Sequence, residues 1–250
     1  IPTTAGTGAE TESTAMVTDT ARMMKWCIWH EKLKPSFVIL DPEITVGLPP
    51  NMTSWTGVDA LVHAIEAYSV PDFHPLCDGL ALEAMRLVGR WLPIAIREPE
   101  NLEARGAMLS GSCLAGISFL KGLGLVHAIS HMIGAEYDTH HGLTNAVLLP
   151  AVLQYNRSAL SEKVGPMCQA FGVPDTTFDG FYNEVCLFLD EVGIPLSLTD
   201  IGVPADCGPG IAAKALEDIA AKTNPRAPTK DEIEAVIKQA LTSGRSQLSA

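Results

Sequence analysis

Two stretches of this chain place carboxylate and imidazole side chains one helical turn apart, inside sequence that is otherwise apolar. Gly57-Val-Asp-Ala-Leu-Val-His-Ala-Ile-Glu-Ala-Tyr68 holds Asp59 and His63 at i and i+4. Gly124-Leu-Val-His-Ala-Ile-Ser-His131 does the same with His127 and His131, and His140-His141-Gly-Leu-Thr-Asn145 follows. On an α-helix such pairs share a face, so each pair can aim at one point. A divalent first-row ion takes imidazole nitrogen and carboxylate oxygen, and keeps an open position if it is to act on a substrate. Asp59, His63, His127 and His141 would supply one oxygen and three nitrogens from three segments. Each pair also has a plain alternative. Asp-x3-His is common on solvated or capping helix faces, and two core histidines can be satisfied by backbone groups. The surrounding Val, Leu, Ile and Ala favour the metal, because unpaired polar groups are costly there. Glu66, one turn beyond His63, is read as a helix-surface carboxylate, with a supporting place behind the ligands as the alternative.

Helices must position these groups, and the sequence supplies them. After Leu48-Pro49-Pro50, Asn51 or Thr53 is expected to cap a helix that runs to about Ser69, with Val58, Leu61, Val62 and Ile65 on its apolar stripe. Pro71 and Pro75 break it. Further helices are expected over 76–96, 102–120, 125–135 and 143–155, the last bent or ended at Pro150. Amphipathic helices follow at 158–171, 178–192 and 209–222, with Gly193 and Pro195 as a stop signal. A final helix starts at Thr229-Lys-Asp-Glu232, a capping box. Residues 1–47 differ in texture. Ala15-Met-Val-Thr18 and Phe37-Val-Ile-Leu-Asp41 read as short strands, too few for an independent sheet. The expected fold is mainly α, a helical domain over 48–250 preceded by sheet material over 1–47.

Composition narrows the function. Hydrophobic residues make up 47% and charged residues 18%, enough for a sizeable core and against global disorder. A net charge of -12 argues against non-specific nucleic-acid binding, which needs a basic surface. No apolar run reaches the roughly 18 residues of a membrane span, and no basic-then-apolar leader is seen. The six cysteines form no CxxC pair, so zinc-ribbon and thioredoxin readings fail and reduced thiols in a cytoplasm are expected. The opening Thr3-Thr4-Ala-Gly-Thr7-Gly offers hydroxyls and amides for close approach to a nucleotide, although an ordinary tight turn has the same composition.

Taken in order, Pro2-Thr-Thr-Ala-Gly-Thr-Gly-Ala-Glu10, the Asp59/His63 segment, Gly122-Leu-Gly-Leu-Val-His-Ala-Ile-Ser-His-Met-Ile-Gly134 and His141-Gly-Leu-Thr-Asn-Ala-Val-Leu-Leu-Pro150 resemble the iron-containing (group III) alcohol dehydrogenase family. The likeness is close over about residues 1–155 and looser beyond. It implies a dehydroquinate synthase-like helical metal domain, with 1–47 the tail of an α/β dinucleotide-binding domain. It implies metal ligands at Asp59, His63, His127 and His141, with spacing from His127 favouring His141 over His140. It places His131 near the nicotinamide and substrate as a catalytic, non-ligating residue, and makes Thr3, Thr4, Thr7 and Lys25 cofactor contacts. The implied cofactors are Fe2+ or Zn2+ and NAD(P), the partner a small alcohol or aldehyde, and the assembly a cytoplasmic homo-oligomer. A maleylacetate reductase or polyol dehydrogenase relative, or a non-catalytic metal-binding fragment, are the competing readings. The Gly-Gly-Gly-Ser phosphate loop of such enzymes is not found here. The chain opens at Ile1-Pro2 and reads as the C-terminal part of a longer protein, with weak NAD(P)H binding expected of these residues alone.

Overall fold

Residues 50–69 are apolar on nearly every side, and a helix of that kind belongs in an interior. In the computed structural model, which describes residues 1–243 and Arg245, this helix, α1 (Pro50–Ser69), is the central element. Val58, Ala60, Leu61, Val62 and Ala64 are fully buried along it. Pro50 occupies the first turn, where its missing N–H costs nothing. Neither Asn51 nor Thr53 caps α1: the cap position is Pro49, with no side-chain hydrogen bond.

Around α1 pack α2 (Pro75–Arg97), α3 (Leu102–Ser118) and α5 (His141–Asn156), with α4 (Leu125–Tyr137) against α5. The helix α6 (Val164–Phe171) lies on α2, α7 (Phe178–Glu191) on α5 and α6, and α8 (Gly208–Ala215) on α4. The last helix, α9 (Lys230–Ser243), packs on α5 and α8. The capping box forms as the sequence requires: Glu232 N–H donates to Thr229 Oγ1 at 3.3 Å, and Thr229 N–H donates to Glu232 Oε2 at 2.9 Å. Gly193 ends α7 with φ 75°, the left-handed turn. Among the described residues no single helix is long and apolar enough to cross a membrane.

Four expectations need correction. The helix α5 does not end at Pro150 but runs on to Asn156. The segment expected at 158–171 begins as helix only at Val164, and that at 209–222 ends at Ala215. Phe37–Asp41 is not a strand. It forms neither helix nor strand, Phe37 is 91% exposed, and prolines at 35 and 42 bound it. The partner of β1 (Thr14–Asp19) is β2 (Met24–Trp29), an antiparallel hairpin with Thr14 opposite Trp29 and Asp19 opposite Met24. Periodicity missed β2 because both faces of Met-Lys-Trp-Cys-Ile-Trp carry large side chains, and most are exposed.

Candidate metal centre

Asp59, His63 and Glu66 follow at i, i+4 and i+7, so α1 presents all three on one face. Opposite them, α4 brings His127 and α5 brings His141. A Cβ on Gly142 would lie 2.4 Å from the Trp55 carbonyl and 3.0 Å from Asp59 Cβ, so only glycine lets the start of α5 reach α1. That approach sets His141 Nε2 3.7 Å from Asp59 Oδ1. Ligand atoms of Asp59, His63 and His127 all lie within 4.8 Å of one another, and all three residues are buried.

Glu66 ties the two ligand helices together. Its carboxylate accepts from Gly124 N–H at 3.0 Å, from Val126 N–H at 2.7 Å, and from His127 Nδ1–H at 2.6 Å. The first two donors are orphan amides of the α4 N-terminus, where a negative charge is favoured. Gly124 makes room for this: a Cβ there would sit 2.7 Å from Glu66 Oε1. Glu66 is 5% exposed, so its reading as a surface carboxylate is overturned. Burial pushes its pKa upward, while hydrogen bonds from Val126, Gly124 and His127 favour the charged form.

The tautomers follow from the partners. Asp59 O has no proton to give, so His63 Nδ1 donates to it at 2.8 Å. His127 Nδ1 donates to Glu66. Both Nε2 atoms are therefore bare, and they face each other at 3.0 Å. Asn145 Nδ2 lies 3.2 Å from His127 Nε2, 3.0 Å from His141 Nε2 and 2.7 Å from Asp59 Oδ1. One amide nitrogen with two protons thus faces three acceptors, while His63 Nε2 faces only another lone pair. The Asn145 Oδ1 is buried and unbonded. Lone pairs in excess of protons, converging on one point, are the chemistry of a cation site, and one carboxylate with three imidazoles suits Fe2+ or Zn2+.

Electrostatics keeps these groups ready to ligate. Burial lowers His63 and His127, His127 well below the ordinary imidazole value. Burial takes His141 down to about 4, with the Lys25 charge adding to the effect. For Asp59 burial acts upward, but His63, His141 and hydrogen bonds from Asn145 and Thr7 hold it below the usual carboxylate value. All four are thus in the metal-binding protonation state near neutral pH.

The remaining sequence-derived positions divide. His140 turns away: its Nδ1 caps α5 by accepting Leu143 N–H at 3.3 Å, and its ring lies 5.0 Å from Trp55. His131 stacks on His141 with ring centroids 5.5 Å apart, outside the cluster of three, and its Nδ1 meets Asp218 Oδ2 at 2.9 Å. Asp218, missed in the sequence, also accepts Ala220 N–H at 2.8 Å through its other oxygen. No spacing signal could have found it, since it lies 87 residues from His131. Thr7 reaches the centre, with Oγ1 3.3 Å from Asp59 Oδ2. Thr3 and Thr4 lie on the same loop, Thr3 exposed and Thr4 half-buried. Lys25, on β2, projects toward Gly134 of α4.

The Fe-containing alcohol dehydrogenase C-terminal family model matches residues 53–241, and the iron-containing alcohol dehydrogenase model matches 1–42. A probable alcohol dehydrogenase, EutG, of Escherichia coli strain K12 is 40% identical over 234 residues, covering 93% of this chain and 59% of that protein. An NAD-dependent methanol dehydrogenase of Bacillus methanolicus is 39% identical over 248 residues, covering 96% of this chain and 65% of its own. Among solved structures, that of a 1,3-propanediol oxidoreductase superimposes with TM-score 0.91 at 38% identity, over 96% of this chain and 64% of the other. The chain therefore spans about three-fifths of the length of these relatives. With two models matching consecutive segments and the helical fold in common, the chain belongs to the iron-containing alcohol dehydrogenase family.

Proposed function

We propose that this chain carries the metal-binding half of an NAD(P)-linked alcohol dehydrogenase or aldehyde reductase, with Asp59, His63, His127 and His141 as ligands of Fe2+ or Zn2+. The observation that carries this is the pair of Nε2 atoms facing each other at 3.0 Å, both left without a proton by the tautomers their Nδ1 partners assign. A positive centre between them reconciles the two lone pairs. A divalent ion there supplies Lewis acidity to the oxygen of an alcohol or carbonyl. The similarity to methanol and propanediol enzymes supports a small primary alcohol as substrate. In the same reading, residues 1–47 finish the dinucleotide-binding domain, Thr3, Thr4, Thr7 and Lys25 face the cofactor, and 48–250 is the catalytic helical domain. A cytoplasmic homo-oligomer completes it.

The chain's own side chains divide the work. Glu66 orients His127 and locks α4 to α1, so the ligand geometry is preorganised. Asp218 holds the His131 proton on Nδ1, which leaves Nε2 free to accept one. His131 is 12% exposed at its side chain, so a proton taken there can pass to solvent. His131→Ala is expected to lower kcat by about 10²–10⁴-fold, the range of general acid–base catalysis, with metal content unchanged. Asp218→Asn should lower it less, in the same direction. Steady-state rates and metal analysis on the same samples check this; loss of metal in His131→Ala would make it a ligand instead. The function itself is tested with the full-length protein on an alcohol panel with NAD and NADP. Turnover should vanish on chelation and return with Fe2+ or Zn2+, whereas turnover indifferent to chelation would refute the proposal.

A further inference from the structure

Asp59 is the only carboxylate among the four proposed ligands, and its two oxygens have different surroundings. Oδ1 lies 3.9 Å from His127 Nε2 and 3.7 Å from His141 Nε2, and Asn145 Nδ2 donates to it at 2.7 Å. Oδ2 accepts the Thr7 hydroxyl at 3.3 Å. Oδ1 is therefore the oxygen that faces the imidazole nitrogens, while Oδ2 is held by a residue that is not a ligand. The difference bears on the chemistry, because carboxylates ligate through one oxygen or through both. Three imidazoles and Oδ1 supply four donors. A second Asp59 oxygen would take the next position, which a reacting oxygen needs.

The loop that carries Thr7 is wedged between α1 and α3. A Cβ on Gly6 would lie 3.0 Å from Thr56 Cβ of α1. Gly8 has φ 70°, and a Cβ there would lie 2.6 Å from Ser112 O of α3. Gly8 O in turn accepts from Thr11 N–H at 2.8 Å and from Thr11 Oγ1 at 2.7 Å. Thr7 sits between these two glycines, so the seating of the loop sets its hydroxyl beside Asp59. Thr7 is itself exposed, so that seating rests on the glycines and not on its side chain. We propose that Thr7 is a positioning residue for the metal: by holding Oδ2 it makes Asp59 a ligand through Oδ1 alone, and keeps the next position open for the oxygen of the substrate. This role rests on the assignment of Asp59, His63, His127 and His141 as ligands.

Cobalt(II) is the probe, because its visible absorption bands weaken as the number of ligands rises. The full-length protein, stripped of metal and reloaded with Co2+, is compared with Thr7→Val, which keeps the shape of the side chain without its hydroxyl, and with Thr7→Ser, which restores the hydroxyl. The bands should be weaker in Thr7→Val than in the wild type, and should recover in Thr7→Ser. A loss of packing alone would not be repaired by serine in this way. In crystals loaded with Zn2+, the wild type should show Oδ1 alone at the bonding distance of about 2.0–2.2 Å, and Thr7→Val should bring Oδ2 toward the metal as well. Identical spectra for the wild type and Thr7→Val would overturn the proposal, and so would a wild-type structure with both Asp59 oxygens on the metal. A wild type that takes up no Co2+ at these residues would remove the reading of the metal centre, and this role with it.

Discussion

Replacing His63 by alanine is expected to lower metal affinity by more than about 100-fold and to remove turnover with it. Outer partners of metal ligands alone cost 10–100-fold when removed, and His63 is placed as a ligand. Its Nε2 points at His127 Nε2, its Nδ1 is pinned by Asp59 O, and the Phe119 ring lies against it at 4.9 Å. The fold should survive, since the alanine removes a lone-pair conflict along with the ring. Metal content by mass spectrometry, with circular dichroism as the control for folding, checks this. A variant that keeps its metal would take His63 out of the ligand set.

Glu66→Gln should lower metal affinity by about 10–100-fold without touching the metal. The glutamine offers one acceptor where the carboxylate serves three donors, so either the α4 amides or His127 Nδ1–H must face an NH2 group. Each buried donor left without an acceptor costs about 1–3 kcal/mol. Stability should therefore fall by about that amount, together with the affinity. Glu83→Gln is the control: that carboxylate pairs with Arg86 on the surface, where such pairs contribute little. Metal titration and thermal unfolding on the two variants separate the effects. An unchanged affinity in Glu66→Gln would mean that His127 needs no orientation from α1.

What the sequence disclosed, and what it withheld, follows from the range of the interactions. Asp59 with His63 is a local pair, fixed by helical pitch, and the helix that carries it was recognisable from its apolar residues. The approach of His127 to His63 depends on helices meeting 64 residues apart; residue types made the four-ligand set conceivable, and the family resemblance singled it out. The doublet His140-His141 was ambiguous because neighbours on a helix start differ by about 100° in direction. Which one faces Asp59 is decided by Gly142 against Trp55. Glu66 was misjudged for a physical reason: a carboxylate in an apolar helix is acceptable if another helix offers it amides, and spacing does not show where that helix begins. Asp218 lay beyond any periodic signal. The hairpin was half seen. Val17 and its neighbours gave a strand, but β2 is exposed and double-sided, whereas Phe37–Asp41 has strand composition without a partner.

The most direct measurement is anomalous diffraction at the iron and zinc edges on protein purified without oxygen. A single metal should lie between His63 Nε2, His127 Nε2, Asp59 and His141 Nε2, with Asn145 turned so that its amide protons leave that point. No metal, or a metal whose ligands include His131 or His140 in place of these, would contradict the assignment of the centre.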